Sequence, residues 1–359
     1  MKFSKLPIPK EELSKISKLV KKLTKFRVVR YSLFLLLIIV VVPIIFFFLL
    51  KPKPQEDIIY GINFSNKYAT QLGLNWKQSY LAILNDLGTK DIRIVAYWDD
   101  IEKTMDNYDY SDIMWQLDEA QKRDVNVILS LGRKVPRYPE CFEPDWWKNI
   151  DNPKLKNLEL YEYVKETVKA LKTYDSIKIW QVENEPFWPF GECTEIKESV
   201  LKREVEIVRN LDNRPILTQD SGEGGFWYPT YKLGDYLGIS MYRRIWYDFW
   251  GVFLGRSIYF KYPLAYWTYK IKAHIFGVPP KNIIVTELQS EPWGPDINSK
   301  LSPEEKDKTM SKRHFISTLN YAQKTGFDKF YFWGAEWWLL EKEKYNNPFY
   351  WDTAKALFR

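Results

Sequence analysis

Residues 177–186 read IKIWQVENEP, an apolar and β-branched run that stops abruptly at carboxylates. Residues 283–288, IIVTEL, have the same character and reach the carboxylate of Glu287. Short apolar runs of this kind are typical of buried strands. Two acids delivered by the ends of different strands suit the cleavage of a glycosidic bond, because one carboxyl must protonate the leaving oxygen while the other attacks or stabilises the anomeric carbon.

From about Ile58 onward the chain alternates β-like runs with helical patterns, which is typical of a parallel α/β architecture. The predicted strands are Ile58–Phe64, Ile92–Trp98, Asn126–Gly132, Ile177–Val182, Pro215–Thr218, Leu237–Met241, Ile283–Glu287 and Lys329–Trp333. The predicted helices include Trp76–Leu87, Ile113–Arg123, Leu158–Leu171, Thr194–Asn210 and Glu304–Lys324. Eight strands in about 300 residues predict a (β/α)8 TIM barrel over residues 58–359.

A doubly wound open sheet is the alternative α/β fold. It would need a glycine-rich phosphate turn after an early strand, and neither G-x-G-x-x-G nor G-x-x-x-x-G-K occurs. One connection, Tyr242–Pro263, is unusually long and crowded with aromatic residues. It is suited to a lid, a wall of the cleft or a surface lying on a membrane. We expect a lid or wall over the barrel mouth, because long loops in barrel enzymes usually carry function.

The N-terminal part predicts a membrane anchor. Residues 1–30 hold ten Lys/Arg and two Glu, and residues 31–50 carry no charge. That apolar length spans a bilayer as one helix, and the basic arm is expected to stay in the cytoplasm. Residues 51–57 then form a proline-stiffened linker to an extracytoplasmic domain. A cleavable signal peptide is the alternative, but no small-residue cleavage pattern precedes Lys51.

The net charge of +7 resides in the basic arm, so the rest of the chain is close to neutral and does not have the basic surface of a nucleic-acid-binding domain. The chain holds only two Cys, Cys141 and Cys193, which are either paired or free thiols in a compartment where disulfides persist. Its only His residues, His274 and His314, have no neighbour at metal-ligand spacing, so neither a metal nor another cofactor is predicted. The aromatic content of 17% suits either sugar platforms or a large barrel core.

With these motifs the chain resembles the retaining (β/α)8 glycoside hydrolases of clan A, the superfamily of many cellulases, mannanases and β-xylosidases. Asn184-Glu185-Pro186 is similar to the Asn-Glu-Pro that follows strand four in that family. The resemblance implies that Glu185 is the general acid/base, that Glu287 after strand seven is the nucleophile, and that Asn184 binds the sugar 2-hydroxyl.

The resemblance extends to three supporting positions. Arg93 matches the strand-two arginine that keeps the nucleophile ionised, Tyr242 matches the strand-six tyrosine beside it, and Trp333 matches the strand-eight tryptophan that floors the catalytic subsite. Where many clan members carry histidine, this chain has Arg133 and Arg243, a departure that leaves the substrate open. Further candidate substrate contacts are Gln181, Arg133, Asp220, Glu223, Gln289 and Trp337.

Two other acids compete for the catalytic roles. Glu183 lies two residues before Glu185, and regular strand alternation would give both the same facing. Glu291 follows Glu287 closely. The mechanism requires the pKa of the acid to be raised by an apolar pocket and that of the nucleophile to be lowered by a cation. Retention of configuration requires the two carboxyls to lie about 5–5.5 Å apart.

These observations predict a membrane-anchored, extracytoplasmic, retaining glycoside hydrolase that cleaves β-linked oligo- or polysaccharides. The alternatives are a transglycosylase of the cell envelope, a carbohydrate-binding barrel without activity, and a structural envelope protein. The sugar, the linkage, the choice between endo and exo cleavage and the oligomeric state do not follow from the sequence.

Overall fold

The computed structural model describes residues 10–49, 55, 57–247 and 258–358. The chain divides into an N-terminal unit, Met1–Pro52, and a larger unit, Lys53–Arg359. Most of the predicted 51–57 linker lies outside the described residues.

Helix α1 spans Lys10–Leu49 and contains Pro43. Its segment Lys25–Ile45 has a mean hydropathy of 2.7 and is long and apolar enough to cross a membrane. Helix α1 therefore begins well before the predicted span at residue 31. Lys, Leu and Glu dominate residues 10–25, and these residues favour the helical conformation even where they are too polar for a bilayer.

In the larger unit, eight parallel strands within the described residues close into a barrel in the order β1-β2-β3-β4-β5-β6-β9-β10. The barrel strands are β1 (Ile59–Asn63), β2 (Asp91–Val95), β3 (Asn126–Leu131), β4 (Ile177–Val182), β5 (Ile216–Asp220), β6 (Tyr236–Met241), β9 (Ile283–Gln289) and β10 (Lys329–Trp333). The predicted (β/α)8 fold is confirmed.

The described helices of this unit are α2 (Asn66–Gln71), α3 (Trp76–Ala82), α4 (Trp98–Ile101), α5 (Ser111–Gln121), α6 (Asp145–Lys148), α7 (Pro153–Leu171), α8 (Glu198–Leu211), α9 (Tyr228–Tyr231), α10 (Thr268–Ile275), α11 (Pro303–Met310), α12 (Lys312–Thr325), α13 (Ala335–Lys344) and α14 (Phe349–Lys355). A π-helical turn, Ile83–Leu87, continues α3, and a 3₁₀ turn, Pro280–Asn282, precedes β9.

The helices predicted at 113–123 and 158–171 are observed at Ser111–Gln121 and Pro153–Leu171, and the other three differ in more than their bounds or begin late. The predicted helix 304–324 is two helices, because Ser311 leaves the helical conformation and its side chain accepts a hydrogen bond from His314 N to start α12. The predicted helix 194–210 begins only at Glu198. The predicted helix 76–87 changes from α to π geometry at Ile83.

Alternation along the strands separates two apolar layers. Ile128, Leu217, Ile284 and Tyr331 pack together inside the barrel, whereas neighbouring strand residues such as Leu129 and Ile283 join the larger core beneath the helices. A barrel filled in this way is a solid support for residues that follow the carboxyl ends of the strands.

The aromatic segment 242–263 is more regular than a loop. Strands β7 (Arg244–Tyr247) and β8 (Ile258–Lys261) pair antiparallel as a separate two-stranded sheet, and residues 248–257 between them lie outside the described part of the chain. Its predicted function as a lid or wall stays a prediction.

Candidate active site

Glu287 lies in β9 with its side chain 5% exposed, and polar groups hold both of its oxygens. Gln219 Nε2 and Arg93 Nη1 donate to Oε1 over 2.6 and 3.3 Å, and the Tyr242 hydroxyl donates to Oε2 over 3.1 Å. Three converging donors, one of them a cation, stabilise a carboxylate anion here. A nucleophile of glycoside cleavage needs this charge state.

Arg93 is the buried centre of a hydrogen-bond network across the barrel. Its guanidinium donates to Asn184 Oδ1 over 2.7 Å, to Gln219 Oε1 over 2.6 Å and to Asn63 Oδ1 over 2.9 Å. Its Nε donates to Gln181 Oε1 over 2.6 Å. Gln181 is fully buried and orients Arg93, and its predicted contact with substrate stays a prediction.

Glu185 lies three residues after the end of β4 and adopts a positive φ of 45°. Ser240 Oγ donates a hydrogen bond of 2.7 Å to its Oε1. Burial, followed by the negative charges of Glu287 and Glu140, raises the pKa of Glu185 well above its usual range. The direction is the predicted one and suits a group that must carry a proton before it can donate one.

Glu140 is a third carboxyl of the site, and the sequence did not point to it. Asn184 Nδ2 donates to Glu140 Oε1 over 3.1 Å, and Lys134 Nζ lies 3.4 Å from Glu140 Oε2. Burial raises the pKa of Glu140 to about 8. Glu140 lies in the loop after β3, well beyond the strand end, where the strand pattern gives no signal. It precedes Cys141, and a pairing of Cys141 with Cys193 is the signal that could have indicated that this loop reaches the loop after β4.

Glu183 does not share the facing of Glu185, so that expectation is wrong. Strand β4 ends at Val182, and Glu183 adopts a φ of 59°, which interrupts the regular alternation. Its carboxylate turns toward the loop after β3 and accepts backbone N–H groups of Arg133 and Lys134 over 3.0 and 2.7 Å. Glu183 therefore anchors that loop instead of competing with Glu185.

Arg133 and Arg243 are also engaged elsewhere. Arg133 pairs with Glu143 over 2.6 Å and donates to the carbonyl of Thr194 over 2.6 Å, which joins the loops after β3 and β4. Its predicted substrate contact stays a prediction. The Arg243 guanidinium stacks on the Tyr321 ring at 3.6 Å.

Trp333 ends β10 beside a buried ionic cluster. The Arg137 guanidinium lies 4.3 Å from the Trp333 ring centre and pairs with Glu291 and, over 2.9 Å, with Glu336. Glu291, a competitor for catalysis in the sequence, is thus tied to Arg137. Burial raises the pKa of Glu291 to about 7.

Cys141 and Cys193 are bonded in the structure, with their Cα atoms 5.2 Å apart, so the loops after β3 and β4 are joined. Backbone strain gathers in the same region, because Arg137, Glu140, Glu183 and Glu185 all have positive φ. Strain of this kind persists only where surrounding contacts enforce it, often at functional sites. Among the described residues, no group of three or more His, Cys, Asp or Glu is arranged to hold a metal ion.

No protein-family model and no curated protein matches the chain. Solved structures do match its fold. The exo-β-1,4-mannosidase Op5Man5 from Opitutaceae bacterium strain TAV5 aligns with a TM-score of 0.55 and 14% identity, covering 86% of this chain and 61% of the mannosidase. A GH5_18 protein from Streptomyces cattleya, in complex with GlcNAc, gives 0.52 and 12%, covering 78% and 71%.

Xylanase 10B from Thermotoga petrophila RKU-1, in complex with xylobiose, gives a TM-score of 0.50 and 14% identity, covering 77% of this chain and 82% of the xylanase. The chain spans about three fifths of the length of the mannosidase. At these identities the similarity establishes the fold alone, a (β/α)8 barrel like those of the mannosidase, the GH5_18 protein and the xylanase. The fold that the sequence resemblance implied is confirmed.

Proposed function

We propose that this protein is a membrane-anchored retaining glycoside hydrolase that acts outside the cytoplasm on β-linked sugars. The observation that carries the proposal is the pair of environments around Glu185 and Glu287. One carboxyl has a raised pKa, and the other receives three hydrogen bonds that stabilise its anion. Carboxyls whose environments differ in this direction divide naturally into an acid and a nucleophile.

In the first step, a Glu287 oxygen attacks the anomeric carbon as the bond from that carbon to the leaving oxygen breaks. Glu185 transfers its proton to the leaving oxygen, which departs as an alcohol. The products are a glycosyl ester on Glu287 and an ionised Glu185. Arg93 and Tyr242 hold Glu287 in the orientation required for attack.

In the second step, Glu185 removes a proton from water, and the water oxygen attacks the anomeric carbon. The ester bond to Glu287 breaks and restores its carboxylate, so two inversions give net retention. Loss of the Glu287 charge in the ester lowers the pKa of Glu185, since that charge is one of the causes of its elevation. Asn184, held by Arg93 and Glu140, supplies an amide beside the sugar 2-hydroxyl.

Trapping of the ester tests this mechanism. A panel of 2-deoxy-2-fluoro-β-glycosides with dinitrophenyl leaving groups is incubated with the soluble fragment from about residue 55, and the labelled peptide is identified by mass spectrometry. We expect one adduct, on Glu287. Glu185→Gln should still form the adduct because dinitrophenolate needs no proton, whereas Glu287→Gln should form none. Absence of both adduct and turnover with every sugar would favour a non-catalytic carbohydrate-binding barrel.

The membrane anchor is a separate part of the proposal. Residues 25–45 form an exposed apolar helix, and the Lys/Arg-rich residues lie on its N-terminal side. By the positive-inside rule, this charge distribution supports an orientation with the barrel outside the cytoplasm. Full-length protein should remain in the membrane fraction after alkaline carbonate washing. Protease added to cells whose cytoplasmic membrane is intact, and whose outer layers let the protease through, should digest the barrel. A barrel protected until lysis would contradict this orientation.

A further inference from the structure

We propose that the loop after β3 closes one end of the substrate site through Arg137, so that the enzyme accepts a single neutral sugar at the non-reducing end of its substrate. This inference rests on the proposed function and specifies its substrate class. It assigns exo cleavage, which neither the sequence motifs nor the two catalytic carboxyls determine.

Arg137 crosses the mouth of the barrel. It follows β3, the third strand around the barrel, and its partners Glu291 and Glu336 follow β9 and β10, the seventh and eighth. The third and seventh strands of an eight-stranded barrel lie opposite each other. The side chain therefore links the loop after β3 to the segments after β9 and β10, on the side of the barrel that contains β1, β2 and β10.

The crossing is tightly fixed at its far end. Arg137 lies 3.8 Å from the ring centre of Tyr68 on α2, and N of Ser65, the residue before α2, donates to Glu336 Oε1 over 2.7 Å. Arg137 is 6% exposed and Glu336 is fully buried. Buried charges that are paired and hydrogen-bonded separate only at high cost, so this end does not open readily to a sugar chain.

Close packing between the ends of β9 and β10 supports the same cluster. Gly334 has a φ of 133°, and a Cβ at that position would lie 2.5 Å from Glu291 Cβ. Only glycine combines this backbone conformation with the close approach of Glu291. The carboxylate that receives Arg137 is therefore held directly beside Trp333.

The near end of the crossing is equally constrained. Lys134 Nζ donates to the carbonyls of Glu185 and Trp188 over 2.8 and 2.7 Å, and the Cys141–Cys193 bond joins the loop to the one after β4. The loop after β3, residues 132–144, is thus a strap that is anchored at both of its contacts with the rest of the barrel. Arg137 is part of this strap and not a mobile surface side chain.

The chemistry determines which end of the substrate meets this strap. Glu185 must reach the glycosidic oxygen, so the leaving group lies on the β4 side. The strap lies on the other side, over β1 and β10, where the non-reducing end of a longer glycan would extend. On that side the loop after β4 meets the loop after β9 through two half-buried rings, Phe190 and Trp293, whose centres are 5.4 Å apart, instead of through buried ion pairs.

The charges around the closed end of the site favour a neutral sugar. Arg137 faces two carboxylates, Lys134 lies beside Glu140, and Arg93 faces Glu287, so each of these cations is already matched. A uronic acid in the closed pocket would bring a further carboxylate next to Glu291 and Glu336. Such a juxtaposition is unfavourable in a buried site.

The test compares two inactivators on the wild-type fragment: a 2-deoxy-2-fluoro-monosaccharide with a dinitrophenyl leaving group, and the same reagent extended by one sugar on its 4-hydroxyl. The monosaccharide is chosen as the best aryl β-glycoside in a screen. We expect the extended reagent to label Glu287 at least about 100-fold more slowly, because its added sugar meets the strap. The corresponding aryl β-uronide should not be turned over.

Product analysis gives a second readout. From a tetrasaccharide labelled at its reducing end, the wild type should give unlabelled monosaccharide and labelled trisaccharide as its only early products. Arg137→Ser should gain release of unlabelled disaccharide, while Arg203→Ser, a change of an exposed arginine on α8, should keep the wild-type pattern. If Arg137→Ser does not fold, the inactivator comparison still decides the question.

Equal labelling by both inactivators, or early disaccharide release by the wild type, would overturn the exo assignment and leave the proposed hydrolase intact. Turnover of the uronide would overturn the neutral-sugar assignment alone. Absence of adduct and turnover with every reagent would remove the hydrolase itself, and the exo assignment with it.

Discussion

Ser240 donates a hydrogen bond of 2.7 Å to Glu185 Oε1, and the same residue is the register partner of Glu287 between β6 and β9. One serine on a rigid strand is therefore adjacent to both carboxyls. Its hydroxyl stabilises the ionised form of Glu185 and so opposes the rise in pKa that burial causes. The pKa of the acid is consequently lowered by a residue that carries no charge.

Replacing this serine should change the pH dependence of the reaction. Glu185 must be protonated for the first step, so kcat/KM falls as pH rises through its pKa. Ser240→Ala removes a stabiliser of the carboxylate, which raises that pKa and moves the alkaline limb upward by about 1–2 pH units. The pH profile of kcat/KM with an aryl glycoside measures the shift. An alkaline limb with its midpoint at the wild-type pH or at a lower pH would contradict the assignment of Glu185 as the acid.

Removal of the acid should depend on the leaving group. Glu185→Ala should reduce kcat/KM by about 10²–10⁴-fold for alkyl glycosides, the usual contribution of general acid–base catalysis, and far less for dinitrophenyl glycosides. Azide should then accelerate turnover of the dinitrophenyl substrate and give the β-glycosyl azide, because a small anion occupies the place of the base. Glu183→Ala serves as the comparison, since Glu183 faces the loop after β3. Equal sensitivity to both substrates in Glu185→Ala would argue against its function.

The framework of the molecule followed closely from the sequence. The predicted strands 177–182 and 329–333 match the observed ones, because apolar β-branched and aromatic runs of that length specify buried strands. Strand ends also located Glu185 and Glu287. The predicted fifth strand stopped at Thr218, and this early end omitted Gln219, which proved to be a donor to Glu287.

Other site residues were beyond sequence reasoning for physical reasons. Arg137 acts on partners more than 150 positions away, and only the folded loop brings them together. The facing of Glu183 was wrong because a positive φ in a non-glycine residue cannot be anticipated from the strand pattern. The internal partners of Gln181 and Arg133 also did not follow from the sequence, because polarity near a strand end does not distinguish a side chain that orients its neighbours from one that binds substrate.

A buried pair of acids beneath the site should limit stability at high pH. Burial and the charge of Glu183 raise the pKa of Glu204 on α8 well above its usual range, so Glu204 is protonated in the folded state. As pH rises above the unfolded pKa of glutamate, the unfolded chain loses a proton that the folded chain retains. Folding stability therefore falls by at most about 1.4 kcal/mol per pH unit until the raised folded pKa is reached.

Glu204→Gln keeps the shape of the side chain and removes this titration. Its melting temperature should equal or exceed that of the wild type above pH 7 and depend less on pH. Glu206→Gln, a change of a half-exposed glutamate on the same helix, is the matched control and should retain the wild-type slope. If the melting temperatures of Glu204→Gln and the wild type depend on pH in the same way, Glu204 is not the group that retains its proton in the folded state.

The bond between Cys141 and Cys193 should stabilise both the fold and the strap that carries Arg137. It closes a loop with a sequence separation of 52, and cross-links of such loops commonly contribute about 2–4 kcal/mol to the free energy of unfolding. The double variant Cys141→Ser/Cys193→Ser should lose stability of that size in urea titrations, and reduced wild type should behave like the variant. Because the strap is then no longer bonded to the loop after β4, the labelling rate of the 4-extended inactivator, divided by that of the monosaccharide reagent, should be higher than in the oxidised wild type. Alkylation of both cysteines without reductant, in protein isolated from the membrane, would show that the bond is not formed there.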